Sequence, residues 1–201
     1  MRGAEGVVER VDALLRGGYI GREKAAEVVA AEPRAASREV LEWLRTLAGA
    51  GAWARFGRFA LLAAELHPEG LAEVVVPVIA SGAAGGAGGA NRAEGAGGAE
   101  GVLEDLVDLA GEIGAVEAVP ALAALIDGRR ESGADAPYFA LSLKCVHALG
   151  GIGTAEAQAV LRTVATGDHP GVLRWNAAVE LGIEDELGYD EDEMLGPAES
   201  H

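Results

Sequence analysis

A stretch of this sequence recurs after 39 residues, and this repeat limits the folds that are open to the chain. The ten residues that begin at Leu109, LAGEIGAVEA, are echoed by the ten that begin at Ala148, ALGGIGTAEA. The match continues in two further pairs, Leu122 with Leu161 and Gly128 with Gly167. A period of this length is typical of helical repeats, in which each unit buries its apolar face on the next.

Weaker copies lie on both sides of these two. Leu181-Gly182 answers Leu149-Gly150 in a third copy of the first element, and Val76-Pro-Val-Ile answers Val119-Pro-Ala-Leu in an earlier copy of the second. The pattern therefore predicts helix pairs at about 52–80, 100–127 and 137–166, followed by a half unit at 170–183.

Each unit is predicted to contain two helices. Val102, Leu106, Leu109 and Ile113 form a stripe at helical spacing in the first helix. Gly111 and Gly114 are expected to end it, because glycine tolerates the left-handed conformation that follows a helix. The second helix is predicted at about 116–126, with a buried face that contains Ala118, Leu122, Leu125 and Ile126.

The helix starts carry capping signals. Thr154 with Glu156 predicts an N-cap and a charge that compensates the helix dipole. Asp168 is expected to cap the final helix in the same way, with Pro170 just inside it.

The segments 109–122, 148–157 and 168–182 resemble HEAT repeats, and most closely the short bacterial kind found in phycobilisome-lyase-type proteins. The resemblance implies an all-α fold, an α-solenoid (α–α superhelix) of HEAT-like helix pairs. It also implies a scaffold that binds other proteins, since most members of the family are scaffolds. Asp168 and Arg174 match the family's ladder of stacked Asp and Arg side chains, but Leu103 and Ser142 stand where further arginines would be, so irregular units are expected.

The repeats divide the chain into five predicted segments. These are an N-terminal helical cap at 1–50, a first helix pair at 51–81, a flexible Gly/Ala linker at 82–98, HEAT-like repeats at 99–183 and a disordered acidic tail at 184–201. The cap is expected to contain three helices, at 6–16, 22–31 and 37–48, with an apolar face of Trp43, Leu44 and Leu47 on the third. A cap of this kind would cover the exposed end of the repeat core.

The net charge of −16 is concentrated in one part of the chain. Residues 1–70 hold ten Lys/Arg and ten Asp/Glu, whereas residues 71–201 hold six Lys/Arg and twenty-two Asp/Glu. A surface of this sign repels phosphate backbones and attracts basic proteins, so no nucleic-acid partner is expected. The alternative is that the acids only keep the protein in solution.

Catalytic and membrane signatures are not evident. Cys145 lies in an apolar stretch, which favours a buried, inert thiol, and the histidines are not part of the His-Glu dipeptides that di-iron enzymes of this family use. We therefore expect no catalytic residue, metal or cofactor. Apolar runs such as 74–80 are too short to cross a membrane, and Met1–Val11 lacks the apolar core of a secretion signal, so a cytoplasmic protein is expected.

The leading hypothesis is a non-enzymatic scaffold that binds another protein, and in its sharper form a basic one. The alternative is an accessory subunit or lyase-like enzyme that acts on a cofactor-bearing protein, and a third option is a structural accessory domain. The oligomeric state stays open. By analogy, the partner-binding residues are expected on the outward side of the second helices, at Glu73, Glu117, Gln158 and Arg162. Trp175 is expected either to anchor a partner or to pack in the core.

Overall fold

The computed structural model describes residues 6–16, 18–31, 33–66, 68–84, 96–128 and 139–189. Within these ranges it contains ten α-helices and no strand, which confirms the prediction of an all-α protein. The helices are α1 (Val7–Leu15), α2 (Gly18–Ala31), α3 (Pro33–Gly49), α4 (Trp53–Leu66), α5 (Leu71–Ala84), α6 (Ala96–Glu112), α7 (Val119–Gly128), α8 (Phe139–Ile152), α9 (Ala155–Thr166) and α10 (Gly171–Leu181). A 3-10 turn at Val116–Ala118 precedes α7.

The chain divides into two compact units. Unit 1 comprises Met1–Val78 and Arg92–Leu106, and unit 2 comprises Ile79–Asn91 and Val107–His201. In unit 1, α3 packs against both α1 and α4. The predicted N-terminal cap and the first helix of the predicted first pair therefore share one unit.

Unit 1 has a core with large aromatic side chains. Phe56 and Phe59 are fully buried, together with Leu44 and Leu62. Trp43 is half-buried and meets Phe59 edge to face, with ring centroids 6.4 Å apart. Edge-to-face geometry is favourable because the positive ring edge points at the negative ring face.

In unit 2, α8 packs against α7, α9 and α10, and α9 and α10 also pack on each other. The predicted buried face of the second helix is confirmed, since Ala118, Leu122, Leu125 and Ile126 are all buried. Among the residues of this unit whose side chains are described, Leu, Val, Ile and Ala dominate the core, and Trp175 and Tyr189 are only half-buried. Small side chains of this kind permit close approach between helix axes.

The repeated glycines have two different roles. Gly114 has φ 61° and follows the end of α6, as predicted. The same prediction is wrong for Gly111, which lies inside α6 and makes room for α8. A Cβ atom on Gly111 would lie 2.8 Å from Ala148 Cα, so a larger residue would push the two helices apart.

The second copy of this glycine has a different neighbour. A Cβ atom on Gly150 of α8 would meet the carboxylate of Glu180 on α10, which is the end of a flexible side chain. Gly111 therefore allows a close backbone approach between two helices, whereas Gly150 makes room for the side chain of Glu180.

One capping prediction is confirmed and one is wrong. The N–H of Ala157 donates to Thr154 Oγ1 at 3.3 Å, so Thr154 is the N-cap of α9. Asp168 is not the cap of α10, because the N-cap is Pro170 and the helix begins at Gly171. The rigid proline ring fixes the chain at this helix start without a side-chain hydrogen bond.

Residues 184–189 form turns after α10. Tyr189 holds this segment on the unit: its hydroxyl donates to the carbonyl of Ala165 at 3.1 Å, and the Arg174 guanidinium lies 5.7 Å from its ring centroid. The rest of the predicted acidic tail, 190–201, lies outside the described residues. Of the predicted linker, 85–95 also lies outside them, and 96–98 belong to the first turn of α6.

Among the described helices, none combines the length and the apolar character that a membrane crossing requires.

Candidate protein-binding surface

The five residues predicted to bind a partner are divided between the units. Glu73 lies on α5 in unit 1, and the other four belong to unit 2. Glu73 is exposed, and its Oε2 is 3.6 Å from Nη2 of Arg45, which is also exposed. An exposed pair at this distance contributes little to stability.

The three polar residues of unit 2 are all exposed. Glu117 lies on the 3-10 turn that precedes α7, and Gln158 and Arg162 lie one turn apart on α9. The buried side of α9 consists of Ala157, Leu161, Val164 and Ala165. Gln158 and Arg162 are therefore available for contacts outside the core.

Trp175 is half-buried, and its position on the helical wheel of α10 lies opposite the buried residues of this helix. The buried residues of this helix are Leu173, Ala177 and Ala178, through which α10 packs on α8 and α9. Val172, Trp175 and Val179 follow the spacing i, i+3, i+7 and form one stripe on the opposite side. Val172 and Trp175 are half-buried, and Val179 is 45% exposed. We call Val172, Trp175 and Val179 the outer face of α10.

The described part of unit 2 has a one-sided charge. It holds ten Asp/Glu and only three Lys/Arg. Lys144 forms an ion pair with Asp108, and the Arg174 Nε donates to the carbonyl of Ala165 at 3.3 Å. Arg162 is the remaining cation in this part of the chain. The acids that are exposed are Glu112, Glu117, Asp127, Glu156, Asp168, Glu180, Asp185 and Glu186.

A contact that the sequence did not suggest joins α8 to α10. His147 Nδ1 and Glu180 Oε1 are 2.7 Å apart, and Glu180 reaches this position by lying over Gly150. The two residues are 33 positions apart, with no motif that relates them. Only the packing of the two helices could reveal the pair.

Unit 1 contains a cluster of charged side chains around a buried aspartate. Asp12 is buried and accepts hydrogen bonds from Arg55 Nε at 3.2 Å, Arg55 Nη2 at 2.8 Å and Arg16 Nη2 at 2.6 Å. Arg55 also lies over the Trp43 ring, 5.1 Å from its centroid. Burial by itself raises the pKa of Asp12, but the hydrogen bonds and positive charges of Arg16 and Arg55 outweigh it, so the pKa lies below its ordinary value.

The described residues contain no group of three or more His, Cys, Asp or Glu side chains that could hold a metal ion. Cys145 is fully buried in α8, in agreement with the expected position of its thiol.

Comparison with models of protein families, with curated proteins and with solved structures finds no match for this chain.

Proposed function

We propose that this protein is a binding scaffold whose unit 2 recognises a basic protein. The observation that carries the proposal is the excess of exposed carboxylates in unit 2, with two of its three described cations engaged in contacts inside the unit. A surface with so few cations has a negative potential that its own residues do not neutralise. Such a potential accelerates encounter with a positively charged partner.

The proposal includes the arrangement of the helices. We propose that α6 to α10 belong to an α-solenoid of HEAT-like pairs, and the 39-residue sequence repeat together with the packing of α8 against α7, α9 and α10 supports this. In a solenoid each unit contacts mainly its neighbours, which leaves extended surfaces free for a partner.

A competing explanation is that the carboxylates only keep the protein in solution. The two explanations differ in whether the positions of the carboxylates matter. Solubility depends on the total charge, whereas a binding surface depends on which carboxylates are removed. A pair of variants with the same net charge can therefore separate them.

The experiment uses two triple variants of the full chain. One replaces Glu112, Glu117 and Glu156 of unit 2 by Gln, and the matched control replaces Glu23, Glu27 and Glu69 of unit 1 by Gln. All six residues are exposed, and both variants lose three negative charges. Tagged wild type and variants are incubated with lysate of the source organism at low and high salt, and captured proteins are quantified by mass spectrometry.

We expect the wild type to enrich a basic protein at low salt, because exposed charge pairs are screened at high salt. The unit 2 variant should lose most of this capture, and the unit 1 variant should retain it. Equal loss in both variants would show that only total charge matters. Failure to capture any specific protein at either salt concentration would contradict stable binding. It would favour the alternatives, an accessory subunit or lyase-like enzyme and a structural accessory domain.

A further inference from the structure

The outer face of α10 contains one exposed and two half-buried apolar side chains. Three large apolar side chains are prominently exposed in the described residues: Val116 at 46%, Val179 at 45% and Leu187 at 39%. Val179 differs from the other two because it lies in a helical stripe with Val172 and Trp175. A stripe of this kind on a helix is suited to packing against a second helix.

The charges near this face indicate the charge of a partner that would pack on it. Glu184, Asp185 and Glu186 follow the end of α10, whereas Glu180 lies over α8 and contacts His147. The C-terminus of a helix carries a partial negative charge of its own. Both sources favour Lys or Arg in whatever packs here.

We propose that the outer face of α10 is a docking site for a basic amphipathic helix of another protein. This inference rests on the proposed function and names the form of the basic partner. The stripe from Val172 to Val179 is about 10 Å long, which two turns of a helix can cover. Lys or Arg residues of the docked helix would lie over the carboxylates at the end of α10.

Two other occupants fit less well. Residues 190–201 of this chain contain five carboxylates and few apolar residues, so their charge has the wrong sign for this acidic region. A second copy of unit 2 would bring the same carboxylates towards each other. The test below nevertheless gives a distinct result for each of these two occupants.

The test uses the full chain and a synthetic peptide of about 18 residues, which forms about five helical turns. Leucines in the peptide follow the spacing i, i+3, i+4, i+7, and lysines fill the other face. A scrambled peptide of the same composition lacks the apolar stripe. The protein is labelled with fluorotryptophan, so that fluorine NMR reports Trp175 in unit 2 separately from Trp43 and Trp53 in unit 1.

The chain offers a matched pair of variants, Val179→Ser and Val116→Ser. Both change the same residue type at nearly equal exposure in the same unit, with no change in charge. We expect the amphipathic peptide to bind at low salt and to shift the Trp175 resonance alone. Val179→Ser should weaken this binding about 10-fold, while Val116→Ser should leave it unchanged. Circular dichroism confirms that each variant is folded.

Each other result would overturn the docking site. If the scrambled peptide binds equally well, or if both serine variants behave alike, binding is electrostatic and lies elsewhere, so the proposed function survives without the docking site. Absence of peptide binding would also remove the docking site, and the lysate experiment would still decide the proposed function separately. A dimer abolished by Val179→Ser would assign the face to a second copy. A Trp175 shift in Met194→Ser/Leu195→Ser without peptide would assign it to the chain's own tail.

Discussion

Unit 1 surrounds a buried carboxylate with arginines, whereas the described part of unit 2 holds ten Asp/Glu and three Lys/Arg, two of which make contacts inside the unit. The cores also differ, since Phe56 and Phe59 are fully buried in unit 1 and aliphatic side chains dominate the core of unit 2. The contrast indicates that unit 1 contains an internal cluster of paired charges, while unit 2 has a large excess of carboxylates over cations.

The largest effect on stability is expected from Gly111→Val in unit 2. The new side chain would collide with the backbone of Ala148, so the unit should lose about 3 kcal/mol of stability. Urea unfolding gives the free energy, and hydrogen exchange of 139–152 shows where protection is lost. The control is Gly128→Val, since a Cβ atom at Gly128 has no described neighbour within 4 Å. Equal effects of the two variants would mean that the close contact does not hold α6 and α8 together.

The second largest effect on stability is expected from Asp12→Asn in unit 1. Asn keeps one acceptor oxygen where Asp12 has two, so part of the hydrogen bonding to Arg16 and Arg55 is lost, and their guanidinium groups lose their counter-ion. Because both arginines are partly exposed, water offsets part of the loss, and we expect about 2 kcal/mol of destabilisation. Hydrogen exchange should locate the change in unit 1. Loss of protection in unit 2 of similar size would contradict the contrast between the units.

The pH dependence of the stability difference between wild type and Asp12→Asn tests the charge of Asp12 directly. The pKa of Asp12 is lowered in the folded state, so its contribution is present above the unfolded pKa and is lost as the pH falls through the folded pKa. The stability gap between wild type and Asp12→Asn should therefore be constant near neutral pH and close in acid. Urea unfolding of both proteins across this range measures it. A gap that persists below the folded pKa would show that the charge of Asp12 is not what stabilises unit 1.

The smallest effect is expected from Thr154→Ala. The variant removes the acceptor for the N–H of Ala157 at the start of α9 and should cost about 1 kcal/mol. Thr163→Ala on the same helix is the control, because its hydroxyl bonds to the carbonyl of Ala159 inside the helix and is not a cap. Alanine there should be neutral or slightly stabilising. If thermal unfolding shifts equally in both, the N-cap makes no special contribution.

The helices of both units could be predicted from the sequence to within a few residues. The predicted pair at 137–166, for example, corresponds to α8 and α9, and the buried face of α7 follows from apolar spacing alone. The two errors have different causes. Asp168 has the right chemistry for a cap, but the proline two positions later sets the helix start. Gly111 has the right chemistry for a helix end, but its true role depends on a residue of α8, 37 positions further on.

The candidate site could be predicted only in part. The acidity of the second half of the chain is a property of composition, and the exposed positions of Gln158 and Arg162 agree with the helical period. For Trp175 the sequence allows both core and surface, because a single large side chain on a short helix fits either. The fold places it in a stripe with Val179, a residue that no motif in the sequence singles out.

Periodicity and composition were enough to predict the helices, the buried face of α7 and the sign of the net charge, because these properties depend on residues within a few turns of chain. Which charged side chains find partners inside each unit depends instead on packing in three dimensions. Arg55 meets Asp12 across 43 positions, and Glu180 meets His147 across 33. Packing also decides which residues of α10 are buried. These features could not be predicted, since helix packing joins residues that no local pattern relates.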